Sequence, residues 1–392
     1  MGLQSETLLY VLNNVPSREG TTRYQHAERL CDSFRTTILC RGSVPREIES
    51  TADDVHSFRE SRLGFQELFF PLWLVYMILR HRSEADVTIV SPHSLYLLAT
   101  YVGTGGSSSA LVVDLWDDLT LPIASYKRRD DYLSKAGELY HRVLFSIARR
   151  CLAKVDLMVL SIHPGIVEKY DLRSVPTIEL TNGYLPELET KEVNAVDGPE
   201  TRFVYLGRAN AKRGIDTVVR TVAEACSAGH LDVVGPTDGA VRQVAAGYDN
   251  VTLHGAQPHQ TAIEIVARAD VGLCLLDVSI ENYRYSYPIK LFEYAALGRT
   301  IVASDTPAIR SILTDRKSVV LVDNDSTQEI QRAIETIAAD SAYRQTLGEN
   351  ASTEIEQYAW PSILDRYTEA IESLARGERP TGWGTNHPAE MG

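Results

Sequence analysis

Short apolar runs recur along the chain, separated by longer stretches in which apolar residues return every three or four positions. Leu8-Leu-Tyr-Val-Leu12 is the first such run and reads as a strand, followed by a polar loop over 13–22. A helix over 22–33 and a strand at 37–40 complete a strand–helix–strand unit. Val87-Thr-Ile-Val90, Ala110-Leu-Val-Val113, Leu157-Met-Val-Leu160 and Thr177-Ile-Glu-Leu180 read as further strands. Short strands, apolar almost throughout and divided by helices, are what a parallel sheet covered on both faces requires.

Over 186–199 the composition turns to Glu, Thr, Asn, Asp and Gly, and periodicity stops. This marks a linker, 187–200, between an N-terminal domain, 1–186, and a second domain, 201–360. The second domain repeats the pattern with runs at 203–206, 231–234, 251–253, 271–275, 300–303 and 319–322. Helices are expected between them over 214–228, 260–269 and 289–297. A last helix, 361–376, either closes the second domain or crosses back to the first, and the Gly- and Pro-rich tail 377–392 is read as flexible. The expected fold is α/β, two doubly wound domains facing a central cleft. Open parallel sheets bind ligands at their carboxyl edges, so the architecture predicts a cleft without naming its ligand.

One run departs from the strand pattern: Phe69-Phe-Pro-Leu-Trp-Leu-Val-Tyr-Met-Ile-Leu79. As a helix it would span about 16 Å, short of the roughly 20 residues that cross a bilayer. Two readings stay open, a buried helix of the first domain or a surface that touches a membrane peripherally.

Length and charge narrow the function. A chain of 392 residues is too long for one core and suits two. Its net charge of −13 argues against nucleic-acid binding, which needs clustered cations. The five cysteines are odd in number, far apart and without a Cys-x-x-Cys pair, so neither a disulfide framework nor a zinc site is expected and the cytoplasm is the natural setting.

Chemistry concentrates in the second half. In Val204-Tyr-Leu-Gly207-Arg208-Ala-Asn-Ala-Lys212-Arg213-Gly214 a strand ends in glycine, a loop carries three cations, and a second glycine opens a helix. Such a loop, with the free amides of the helix behind it, suits a pyrophosphate held between Arg208 and Arg213, with Lys212 as helper. The second stretch is Tyr285-Ser-Tyr-Pro288-Ile289-Lys290-Leu291-Phe-Glu293-Tyr-Ala-Ala-Leu-Gly298. Pro288 suits the first turn of a helix, whose amides would face an anion. Ile289, Phe292 and Ala296 share its inner face. Glu293 falls among apolar neighbours, and a buried carboxylate needs partners, which ribose hydroxyls or a nearby protein donor would supply.

Six pieces in order resemble the retaining glycosyltransferase family 4, the glycosyl transferases group 1. They are Leu206-Gly-Arg208 with Arg213-Gly214; Val233-Val-Gly235; Asn250-Val-Thr-Leu-His-Gly255; Ala269-Asp-Val271; Pro288-x-Lys-x-Phe-Glu-Tyr-Ala-x-x-Gly298; and Val302-Ala-Ser-Asp305. The resemblance covers about residues 200–376 and implies a GT-B fold of two Rossmann-like domains. It implies transfer of a sugar from a UDP- or GDP-linked donor to a glycan or lipid-linked acceptor hydroxyl, with retention and without a metal or other cofactor. By the same resemblance Arg208 and Arg213 hold the diphosphate, Glu293 holds the ribose, and Gly255, Ala256 and Gln257 lie against the base. The family often carries Glu-x7-Glu, whereas Tyr285 stands eight residues before Glu293. A subset of the family instead shares Pro-x-Lys-Leu-Phe-Glu-Tyr, in which Lys290 either meets the phosphates or reaches solvent.

The N-terminal half resembles the family more loosely. Gly20, in the loop after the first strand, either lets backbone approach the donor or serves a turn. His93, at the end of a strand in Ser91-Pro-His93, is a candidate beside the reaction centre. Asp114 and Asp117 end another strand as candidates for acceptor hydroxyls, although Asp117 or its neighbour Asp118 suits helix capping equally. Two rival functions remain: a nucleotide-sugar epimerase, which needs an acid/base pair not found in the sequence, and a non-catalytic sugar-nucleotide-binding scaffold.

Overall fold

The computed structural model describes residues 6–16, 20–58, 69–105, 108–121, 123, 132–189, 200–226, 228–323 and 326–378. Most of the expected linker (190–199) and of the expected tail (379–392) lies outside the described residues. The chain forms two compact units, one of residues 1–181 with the C-terminal stretch from 361, the other of residues 182–360.

The first unit holds a seven-stranded sheet. Its strands are β1 (Thr7–Leu12), β2 (Arg35–Cys40), β3 (Asp54–Ser57), β4 (Val87–Val90), β5 (Ala110–Leu115), β6 (Leu157–Leu160) and β7 (Thr177–Glu179), in the order β3-β2-β1-β4-β5-β6-β7. Every pairing is parallel. The chain winds outward in both directions from β1, so the strand order reverses between β1 and β4. β3, Asp54-Val-His-Ser57, escapes a reading based on apolar runs because it is a partly exposed edge strand. From residue 361 the last helix, Trp360–Ala375, belongs to this unit, with the Tyr367 ring 4.5 Å from that of His26.

The run at 69–79 forms most of the helix Phe70–His81 and is divided between core and surface. Phe70, Leu74, Met77 and Ile78 are buried, while Phe69, Leu72, Tyr76 and Leu79 stand exposed. Among the described residues no helix is long and apolar enough to cross a membrane.

The second unit repeats the design with six strands: β8 (Arg202–Leu206), β9 (His230–Val234), β10 (Val251–Gly255), β11 (Val271–Cys274), β12 (Thr300–Ser304) and β13 (Val320–Val322). They run in the order β10-β9-β8-β11-β12-β13, all parallel, with the reversal between β8 and β11. Alternate side chains of β8 feed two cores. Phe203 and Tyr205 pack with Ile215 and Val219 of the helix Ile215–Ala225, and Val204 and Leu206 with Leu291 and Phe292. Burying a side chain such as Phe292 completely contributes about 2–3 kcal/mol.

β8 and β11 pair only at Phe203–Val271 and Val204–Gly272, then part. The Tyr294 phenol fills the gap, accepting from the Leu206 amide at 2.8 Å and donating toward the Leu273 carbonyl at 3.5 Å. Its ring fits because residue 272 is glycine: a Cβ there would stand 2.3 Å from Tyr294 Cδ2. The sheet thus opens at the reversal without leaving the Leu206 amide unsatisfied.

Candidate functional site

At the carboxyl ends of β8 and β9, two glycines bring two loops into contact. Gly207 (φ +129°) and Gly235 (φ +135°) follow β8 and β9, and a Cβ on Gly235 would lie 2.1 Å from the Gly207 carbonyl oxygen. The loop beyond Gly207 is pinned to its neighbour. The Ala209 amide donates to Pro236 O at 2.9 Å, and the Ala211 amide to Asp238 Oδ2 at 3.0 Å. Asp238 also caps the helix Gly239–Ala245 through the Val241 amide, at 3.0 Å. The Val241 and Ala211 amides hold its carboxyl below the usual range.

This frame carries the expected cations. Arg208 is exposed, and its carbonyl accepts from the Tyr205 hydroxyl at 3.3 Å. Arg213 ends a 3-10 turn, Ala211–Arg213, and its guanidinium lies 5.5 Å from the Tyr283 ring centroid. Gly214 (φ +70°) then turns the chain into the helix Ile215–Ala225. Lys212 lies in the same turn, with its side chain outside the described residues. Lys290 comes from the helix Ile289–Ala296 and lays its ammonium 3.8 Å from the Tyr205 ring centroid. A Cβ on Gly207 would lie 3.7 Å from Lys290 Nζ, so the ammonium sits back against the glycine loop.

The same helix carries Glu293, one turn after Lys290 and therefore on the same side. Glu293 is buried, and its Oε1 accepts from His259 Nε2 at 2.7 Å. His259 opens the helix His259–Ala267, separated by Pro258 from the stretch Gly255-Ala256-Gln257. Gly255 is left-handed (φ +67°), while Ala256 and Gln257 are exposed, with Gln257 Nε2 donating to His254 O at 2.6 Å. Pro288 stands just before its helix as the cap residue rather than inside the first turn. Ile289 is half-buried, but Leu291 is wholly in the core and its amide is bonded to Pro288 O at 2.9 Å. Tyr285 is half-buried in the short helix Glu281–Tyr285. The fold thus gathers Arg208, Arg213, Lys290, Glu293 and Gly255 around the ends of β8, β10 and β11.

The sequence reading missed His259, Tyr205 and Tyr283. A lone histidine before an apolar helix and two tyrosines among many carry no signal until the chain is folded.

In the first unit the candidates fall at the carboxyl edge of β1, β4 and β5. His93 caps the helix Ser94–Thr104, its Nδ1 accepting from the Leu95 amide at 3.3 Å. Burial, followed by the charges of His141 and Arg41, pushes its pKa down to about 4, so the ring is neutral at physiological pH. Its ring lies 4.6 Å from that of Tyr96, tilted by 35°, and the Tyr96 hydroxyl donates to Asn13 Oδ1 at 3.0 Å. Gly20 is buried and left-handed (φ +73°), just before the helix Thr22–Ser33.

Asp114 is completely buried. Its Oδ2 accepts from His26 Nδ1 at 2.8 Å and from the Tyr10 hydroxyl at 3.3 Å, which leaves no surface for an acceptor hydroxyl. Asp117 is exposed. Asp118 makes the local turn, accepting from the Thr120 amide at 2.8 Å, and is also bound by Lys169 Nζ and the Tyr170 hydroxyl, both at 2.6 Å. Burial raises the Asp118 pKa, but these bonds outweigh it and hold the carboxyl below its usual value. Among the described residues no group of three or more His, Cys, Asp or Glu side chains could hold a metal ion.

Comparison with known proteins bears on the second unit most directly. Residues 200–340 match the family model described as "Glycosyl transferases group 1". This part of the chain, most of the second unit, is similar to the group 1 glycosyltransferases. The O-antigen biosynthesis protein RfbC of Myxococcus xanthus is 25% identical over 193 residues, 47% of this chain but only 14% of RfbC. A D-inositol 3-phosphate glycosyltransferase of Corynebacterium aurimucosum is 22% identical over 309 residues, 71% of this chain and 69% of that one. The structure of HepE from Anabaena, solved in complex with UDP, superposes with a TM-score of 0.71 at 12% identity, covering 94% of this chain and 100% of HepE. With other glycosyltransferase structures it shows the fold to be GT-B, two Rossmann-like domains of seven and six strands.

Proposed function

We propose that the chain transfers a sugar, with retention and without a metal, from a nucleoside-diphosphate sugar to an acceptor hydroxyl. The acceptor is a glycan, a glycolipid or a polysaccharide precursor. The observation that carries this reading is the convergence of Arg208, Arg213, Lys290 and Glu293 at the reversal of the second sheet, inside the group 1 match. Negative charge builds on the departing diphosphate as the glycosidic bond breaks. Arg208 and Arg213 would stabilise that charge, each such fixed contact being worth about 3–4 kcal/mol at the transition state. Lys290, held against Gly207, would meet the same phosphates, and Gly255, Ala256 and Gln257 would border the base.

Glu293 would take the ribose. In the structure its partner is His259, so the carboxylate is already desolvated and oriented before a nucleotide arrives. HepE, the structural relative, is solved with UDP, which favours a UDP-linked donor over a GDP-linked one. The first unit would serve the acceptor, with neutral His93 near the reacting centre and exposed Asp117 meeting acceptor hydroxyls. The five cysteines are buried free thiols, which supports work in a reducing cytoplasm, with peripheral contact to the membrane through the run 69–79.

Incubation with UDP-, GDP- and dTDP-sugars, with and without acceptor glycans and glycolipids, tests the proposal. Acceptor-dependent release of nucleotide is the expected result. An isomerised donor without acceptor indicates an epimerase, and tight nucleotide binding without turnover indicates a scaffold; either overturns the transfer reading.

A further inference from the structure

An open cavity of about 680 Å³ lies at the amino ends of β11 and β12, the edge of the second sheet opposite the donor-site candidates. That volume falls within the range of small-molecule sites, roughly 300–1,000 Å³. One wall is Asp270 with the turn Gly298-Arg299-Thr300, and the other is the helix Ser341–Ile355. Ser341, Gln345, Glu349 and Ser352 recur every three or four residues and so share the helix face that lines the cavity. The two walls are pressed together. A Cβ on Gly348 would stand 2.2 Å from the Gly298 carbonyl oxygen, and Thr300 Oγ1 donates to Arg344 O at 2.6 Å. Small-molecule sites are ordinarily lined mostly by apolar side chains, whereas every side chain lining this cavity is polar or charged.

Two half-buried arginines supply its positive charge. Arg299 Nε donates to Leu297 O at 2.8 Å and its Nη1 to Ala269 O at 2.9 Å. Arg344 Nη1 donates to Ile337 O at 2.7 Å and to Ala338 O at 2.9 Å. Among the described residues both guanidinium groups bond only neutral carbonyl oxygens, which fix their direction without cancelling their charge. Burial lowers the Arg299 pKa, against the opposing charge of Asp270. These bonds leave each Nη2 for a ligand, and a planar fork of this kind takes phosphate oxygens in pairs. Two carboxylates also line the cavity. Asp270 Oδ2 accepts from the Arg202 amide at 2.7 Å, and Glu349 Oε1 from Gln345 Nε2 at 2.8 Å. The Glu349–Gln345 pair sets an acceptor beside a donor and, with Ser341, Ser352 and Thr353, suits the hydroxyls of a polyol. A bare anion would leave that half of the cavity unused.

We propose that this cavity is a second ligand site, separate from the donor site, and that it takes the phosphate monoester of a polyol. The phosphate would meet Arg299 and Arg344, and the hydroxyls would lie along Gln345, Glu349 and Ser352. The site stands independently of the donor-site reading, because it uses none of its residues. Titration calorimetry of the full chain with glycerol 3-phosphate, inorganic phosphate and glycerol tests it. One saturable site for glycerol 3-phosphate is expected, about tenfold tighter than for inorganic phosphate, with no binding of glycerol. Arg208→Ala/Arg213→Ala strips the cations of the donor site and should leave that affinity within about twofold. Arg299→Gln and Arg344→Gln should each weaken it about tenfold or more, the worth of one charge-assisted hydrogen bond, with circular dichroism verifying the fold. Gln345→Ala/Glu349→Ala changes two exposed side chains and should bring glycerol 3-phosphate to within about threefold of inorganic phosphate. The proposal is overturned if glycerol 3-phosphate does not bind, if Arg208→Ala/Arg213→Ala removes the binding, or if Gln345→Ala/Glu349→Ala binds as the native chain does. It is equally overturned if serine, a carboxylate joined to an ammonium, binds more tightly than glycerol 3-phosphate.

Discussion

His259 and Glu293 join at 2.7 Å, tying the first turn of the helix after β10 to the middle of the helix Ile289–Ala296. A buried carboxylate with a fixed donor is oriented before any ligand arrives, and truncating it removes that order. Glu293→Ala is expected to weaken UDP binding about 10- to 100-fold, the equivalent of one charge-assisted hydrogen bond of about 1.5–3 kcal/mol. Titration calorimetry would measure it, and 2′-deoxy-UDP should lose less because it lacks one hydroxyl that the carboxylate would hold. An unchanged dissociation constant would remove Glu293 from the donor site.

Arg208 is exposed and its guanidinium supports no core, so Arg208→Ala should leave folding intact. Turnover is expected to fall about 100- to 1,000-fold, the usual loss for one preorganised group at a developing charge. Arg213→Ala should behave similarly, and Tyr283→Ala more mildly, because the ring orients the guanidinium without touching phosphate. Steady-state kinetics with a competent donor, alongside circular dichroism, would decide; near-normal transfer by a folded Arg208→Ala chain would sink the assignment.

The two glycines Gly235 and Gly214 predict different costs for the same change. Gly235→Ala sets a Cβ 2.1 Å from a backbone oxygen at φ +135°, and should cost about 2–4 kcal/mol with loss of nucleotide binding. Gly214→Ala faces open space at φ +70° and should cost about 1 kcal/mol. Denaturant unfolding of the two variants would separate them, and equal midpoints would contradict the close approach of the two loops.

Much of this site was legible in the chain, for identifiable reasons. Gly207, Arg208, Arg213 and Glu293 announce themselves because a strand end, a glycine and a cation or carboxylate stand close in sequence. Both sheets were readable because their interior strands are mostly apolar. What escaped depends on distant pairings. His259 acquires meaning only through a carboxylate 34 positions away. Asp114 read as a surface acceptor because a strand end is usually open, yet His26 and Tyr10 enclose it. The run 69–79 could not be assigned to core or surface because a helix with apolar residues all round carries no periodic mark of which side faces water.

His93 makes a pH dependence computable in sign. Its folded pKa, about 4, lies below the ordinary 6.5, so the unfolded chain binds the proton first as pH falls. The stability is intact above about pH 6.5 and is lost as pH drops toward 4, by at most about 3 kcal/mol. His93→Asn keeps a capping side chain but cannot titrate, and should flatten the dependence of melting temperature between pH 7 and 4.5. A variant as acid-sensitive as the native chain would place the sensitivity elsewhere.

The phenol of Tyr294 has a last consequence, for how the opening in the second sheet can vary. The Leu206 amide is satisfied by a side chain from a helix, not by a neighbouring strand, so its hydrogen exchange reports the seating of that helix. Lys290 and Glu293 ride on the same helix. One backbone amide, observable by itself, is therefore a gauge of whether the two side chains proposed for the donor site are in position.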